Sequence, residues 1–110
     1  MKTSQMVIVT LMCAAAPAAF AVTAQENWTA HCAKCHGADG AGKTTMGKKL
    51  KLVDYTTAEG QAAFTDETAT AVIANGVVED GKTKKNGFKE KLSAGEIGDL
   101  VKFVRAFGPK

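Results

Sequence analysis

The chain has 110 residues, 45% of them apolar and 23% charged, with only two prolines, a make-up that fits one small globular domain and excludes a disordered or collagen-like chain. Fourteen Lys and Arg against eleven Asp and Glu leave a formal charge of +3, too small and too dispersed to require nucleic acid as a partner. The length also excludes a multidomain enzyme.

The beginning of the chain reads as an export signal. Lys2 supplies the positive start, Met6 to Phe20 is apolar except for Thr10 and Pro17, and small residues follow at Ala19, Ala21 and Ala24. That stretch is shorter than the roughly 20 residues of a membrane span, so no stable membrane insertion is expected after cleavage. Small-x-small patterns allow cleavage after Ala21 or after Ala24. Residues 1–24 are therefore read as signal peptide and residues 25–110 as the domain. Cys13 leaves with the signal, and the bulky Met12 before it argues against a lipid attachment site.

An 86-residue domain has a thin core and needs a staple such as a disulfide, a metal or a cofactor. Glu26 or Asn27 opens a first helix that runs through Trp28, Cys32 and Lys34 to Gly37, where glycine stops it. Gly37, Gly40 and Gly42 make a loop, and Lys43 to Asp54 continues as a connection with apolar anchors at Met46, Leu50, Leu52 and Val53. A second helix is read from about Thr57 to Phe64, weakened by Gly60. Thr65 or Asp66 caps a third, with Ala69, Val72 and Ile73 on one face and Asn75-Gly76 at its end. Val77 to Leu92 reads as a polar loop. Ser93-Ala94-Gly95-Glu96 is a capping box for the last helix, and Ile97, Leu100, Val101 and Val104 follow as its core stripe. Trp28 and the phenylalanines read as core.

The first helix carries the chemistry. Cys32-Ala33-Lys34-Cys35-His36 is the C-x-x-C-H pattern of covalent c-type haem attachment. Thiols at i and i+3 fall on one face of a helical turn, where both can add to the vinyl groups of one haem c while the adjacent imidazole reaches the iron. Zinc would need two more ligands, and His31 beside the motif is badly placed to be one. A thioredoxin-type dithiol would follow a strand, and no alternating apolar run precedes Cys32. A plain disulfide leaves His36 without a purpose.

On Trp28, on Cys32 through Gly40, on Met46 through Leu50 and on Lys89 through Phe107, the mature chain resembles a small bacterial class I cytochrome c. The resemblance implies an all-α fold of about four helices wrapped around one haem, with the last helix crossing the first; Gly98 is read as permitting that close approach. It implies His36 as proximal iron ligand and periplasmic electron transfer as the work. The family's sixth ligand is a methionine from a later loop, and its place in this sequence is taken by Lys85.

Four readings of the sixth position follow. Lys85 binds the iron through its deprotonated amine; or Lys85 points to solvent and leaves the iron open; or Met46, the single methionine left after signal removal, reaches around; or Asn86 or His31 coordinates. The first and third give a closed electron carrier. The second gives the alternative function, a haem protein that binds small gases or peroxide, although peroxide chemistry needs a distal acid-base group. The carrier reading implies redox partner proteins. Nine of the thirteen basic residues of the mature chain fall at 43, 48, 49 and 51 and at 82, 84, 85, 89 and 91, so an acidic docking surface is expected on such a partner. Oligomeric state is left open.

Overall fold

A computed structural model describes residues 22–110, so the signal segment lies, up to residue 21, outside the described residues. Six helices and a two-stranded hairpin follow in chain order: α1 (Ala24–His31), α2 (Ala33–His36), α3 (Thr45–Leu50), α4 (Ala58–Ala62), α5 (Asp66–Asn75), β1 (Gly76–Glu79), β2 (Lys82–Asn86) and α6 (Ala94–Ala106).

Threonine and serine begin most of these helices. Thr23, Thr44, Thr57, Thr65 and Ser93 each accept a hydrogen bond from a backbone N–H of the first turn, which satisfies donors that have no partner inside the helix. At α6 the expected capping box is present, with Ser93 and Glu96 each bonding the other's backbone. These bonds, joined by one from the Asn27 amide, hold the Glu96 carboxyl below its ordinary range. All four residues of the α6 stripe, Ile97, Leu100, Val101 and Val104, are buried.

The core forms where α1 meets α6. Trp28 (3% exposed), Leu92, Ile97, Leu100 and Val104 make the buried cluster, with Phe64, Phe88, Phe103 and Phe107 packed against it. The Trp28 ring lies 5.6 Å from Phe103 and 5.1 Å from Phe107. Asn27 ties the two helices at their starts by donating to the Glu96 carboxylate at 3.1 Å. Arg105, near the other end of α6, donates to the Gln61 and Phe64 carbonyls and to Asp66, and so fastens the α4–α5 connection to the same helix.

Several expectations change. The described residues form six helices rather than about four, and the fold is not all-α: Val77 and Val78 pair with Lys85 and Thr83 in an antiparallel hairpin. Its two-residue turn has Asp80 at φ 52 and Gly81 at φ +73, and two such residues in sequence match the twist of a tight hairpin. The first helix begins at Ala24, capped by Thr23 and not opened by Glu26 or Asn27, and it is interrupted, because Cys32 leaves helical geometry at φ −121 and ψ −37. The connection from Lys43 contains α3, whose Gly47 lies so close to the Cys35 and Gly42 carbonyls that a Cβ would come within 2.6 Å and 2.3 Å of them. Gly98, by contrast, has nothing within 4 Å of the place a Cβ would occupy, so α1 and α6 do not meet through it.

Candidate functional site

The turn from Cys32 to His36 is held from three sides. The Cys35 and His36 N–H groups donate back to the Cys32 carbonyl at 3.2 and 3.0 Å, and Gly37, at φ 85, ends α2. The Trp28 indole N–H donates to the Gly37 carbonyl at 3.0 Å. From α3 the Thr44 hydroxyl donates to the Cys35 carbonyl while its oxygen receives the Gly47 N–H. The Gly42 N–H donates to the His36 carbonyl at 2.9 Å. The backbone that presents both thiols and the imidazole is therefore fixed by the core tryptophan and by the cap of a neighbouring helix.

Cys32, Cys35 and His36 line a cavity of about 640 Å³, walled mainly by apolar side chains that include Leu52, Tyr55, Phe64, Val72, Ile73, Phe88 and Leu100. Both cysteines are free, half-buried thiols. Burial pushes the Cys32 thiol up, against the pull of the nearby Lys85 charge. Burial, helped by the same lysine, pushes His36 down, which favours the neutral imidazole that a metal requires. Tyr55 stacks on His36 with centroids 5.3 Å apart and planes at 23°. Its place beside His36 follows from the bond between the Tyr55 N–H and the Gly40 carbonyl, a long-range contact that no local pattern announces.

Lys85 lines the same cavity from β2. Among the described residues, two buried side-chain nitrogen or oxygen atoms lack a hydrogen-bond partner, His36 Nδ1 and Lys85 Nζ. Burial lowers the Lys85 ammonium below the ordinary lysine range. Met46 stands elsewhere: it is on α3, 38% exposed, and is not part of the cavity wall. His31, at the end of α1, and Asn86, at the end of β2, line the cavity but are exposed residues.

These residues suit a haem. A pocket of several hundred Å³ with apolar walls accepts a large flat ring, two thiols sit on one turn for covalent attachment, and two buried nitrogens wait in the wall without partners. The donor set does not suit a zinc ion: no group of three or more His, Cys, Asp or Glu side chains among the described residues is arranged to hold a metal.

Residues 19–104 match the family model described as cytochrome c oxidase, cbb3-type, subunit III. A solved structure of KustC0563, a c-type cytochrome, is 34% identical to this chain, covers 80% of it and all of its own length, and superposes with a TM-score of 0.69. No curated protein matches the chain.

Proposed function

We infer the function from membership, since the chain belongs to the cytochrome c family described as cytochrome c oxidase, cbb3-type, subunit III: it is a c-type cytochrome, and we propose that it is a periplasmic carrier of single electrons through one covalently held haem. The observation that carries this reading is the Cys32 to His36 turn, fixed at the wall of a large apolar cavity.

Haem c, when bound, supplies an iron centre that alternates between two oxidation states. The residues of the chain do the rest. Cys32 and Cys35, two free thiols on one turn, would hold the group covalently. His36, whose neutral imidazole is favoured by burial, would offer a ring nitrogen to the iron. Leu52, Phe64, Ile73 and Leu100 would give the group apolar walls, and a fixed apolar shell reduces the rearrangement that accompanies a change of charge. We read the chain as a carrier rather than an enzyme on this basis.

Export is part of the proposal. Thr23 caps α1 by accepting the Glu26 N–H at 3.2 Å. Cleavage after Ala21 keeps that cap, whereas cleavage after Ala24 removes both the cap and the first helical residue, which supports Val22 as the first residue of the mature protein. Intact-mass measurement of the exported protein under denaturing conditions tests both points: the expected species begins at Val22 and carries the added mass of one haem. A species without that added mass would overturn the reading.

Docking on an acidic redox partner is the corresponding proposal for partners. Leu50 and Val53, 50% and 40% exposed, border the cavity, and exposed lysines stand near them in sequence at 48, 49 and 51 and on β2 at 82 and 84. Steered association of this kind accelerates encounter by about 10- to 1,000-fold and is screened by salt. The second-order rate with an acidic partner is expected to fall by about tenfold or more between low and high ionic strength. A rate indifferent to salt would remove the lysines from the docking face.

A further inference from the structure

We propose that the Lys85 amine is the second axial ligand of the haem iron, so that His36 and Lys85 together close the metal to small molecules. The proposal rests on the haem reading above and adds to it the identity of a ligand and the behaviour that ligand imposes.

Position is the first argument. Lys85 Nζ shares with His36 Nδ1 the condition of being buried without a hydrogen-bond partner, and both residues line one cavity. A cationic head in an apolar wall is costly unless something there takes up its nitrogen. The Phe88 ring, 4.8 Å away, compensates a buried cation in part but leaves its hydrogen-bonding capacity unmet.

The mounting is the second argument. Lys85 pairs with Val77 across the hairpin, and cross-strand partners share a face, so Lys85 is turned to the same side as Val77, another cavity residue. The hairpin is fixed at its base. A Cβ on Gly76 would come within 2.1 Å of the Lys85 carbonyl, and one on Gly87 within 2.4 Å of the Ala74 carbonyl. Just beyond, the Phe88 and Lys89 N–H groups donate to the Ile73 and Ala74 carbonyls at 2.9 and 3.1 Å. Lys85 is thus delivered by a strand locked to the end of α5.

The other donors fit less well. Met46 is exposed on α3 and outside the cavity wall. His31 is an exposed neighbour of Cys32, and its ring lies against Phe88 at 5.1 Å.

On binding, the Lys85 ammonium gives one proton to solvent and the freed lone pair makes the Nζ–iron bond; no electron moves. A saturated amine is a harder donor than a thioether and favours the ferric state, so the potential is lower than methionine would give.

The test uses the full exported protein, matured with haem, as wild type and as Lys85→Ala, Lys85→Arg, Lys85→Met and Met46→Leu. Arginine keeps the charge but has no amine lone pair to donate, which separates ligation from electrostatics. The wild type is expected to be low-spin in the ferric state without the red-edge charge-transfer band of methionine. Lys85→Ala and Lys85→Arg should become high-spin. Their ferrous forms should take up carbon monoxide about tenfold faster or more, since a site occupied by an internal ligand is available only for the fraction of time that ligand is off. Lys85→Met should gain the methionine band and a higher potential, and Met46→Leu should change nothing. A high-spin wild type whose carbon monoxide uptake matches Lys85→Ala would overturn the proposal in favour of an open, gas-binding iron. A methionine band in the wild type that disappears in Met46→Leu would overturn it in favour of Met46. Either result leaves covalent haem and family membership in place, the open iron alone favouring gas binding over the carrier reading, whereas a wild type without covalent haem defeats both readings.

Discussion

Replacing Cys32 and Cys35 together with alanine is expected to give a chain without covalent haem and without a stable native fold. The cavity is the reason. Without the group, a cavity of about 640 Å³ walled mainly by apolar side chains loses the packing that would offset its exposure, in a domain of which only roughly 5–15 kcal/mol of net stability is typical. Flooding it would wet Leu52, Phe64, Ile73 and Leu100, and collapse would pull α5 away from its packing on α6. Denaturing gels stained for haem, together with circular dichroism of the purified double variant, check this. A haem-free variant with native helicity and a cooperative melt would mean that the protein core alone suffices.

Trp28→Ala is expected to be the most damaging change outside the attachment turn, at about 3–5 kcal/mol from the transfer and cavity terms of a buried aromatic. Two functions of one side chain are lost. The ring fills the space between α1 and α6, and its N–H is the bond that holds the Gly37 carbonyl behind the turn. Trp28→Phe separates them, because it restores most of the packing and leaves that carbonyl with only the 3.2 Å bond from the Gly40 N–H, at a cost of about 0.5–1.5 kcal/mol. Denaturant unfolding of the haem-loaded proteins should therefore rank wild type above Trp28→Phe above Trp28→Ala. Equal losses in the two variants would show that the hydrogen bond carries the effect.

Features written in consecutive residues were legible in the sequence, and features made by chain reversal were not. The α6 helix was fully specified by its capping box and stripe, and α5 by Thr65 and Gly76, because both depend on neighbours within a turn or two. The C-x-x-C-H run is equally local. The hairpin was missed although Asp80-Gly81 is a strong turn signal. Its strands hold only Val77 and Val78 on one side and a lysine-rich run on the other, too few apolar residues for an alternating pattern to stand out. The α3 helix was missed because Gly47 lowers helix propensity, and its benefit, close approach to the Cys35 carbonyl, is visible only in three dimensions. Tyr55 belongs to the same class. For Lys85, sequence supplied the position through a family resemblance, while the burial of its amine in the cavity that His36 also lines came from the fold.

A two-stranded sheet has two outer strands and no inner one, so β1 and β2 each leave one row of backbone donors and acceptors uncovered by the other. Val78, 64% exposed, adds an apolar residue to that open ladder. Such an edge invites a second chain to extend the sheet. In this molecule β2 carries exposed lysines at 82 and 84, and like charges brought into register repel. The charge that reads as a docking signal thus also keeps molecules apart at high concentration, and neutralising Lys82 and Lys84 would put solubility at risk before it disturbed the fold.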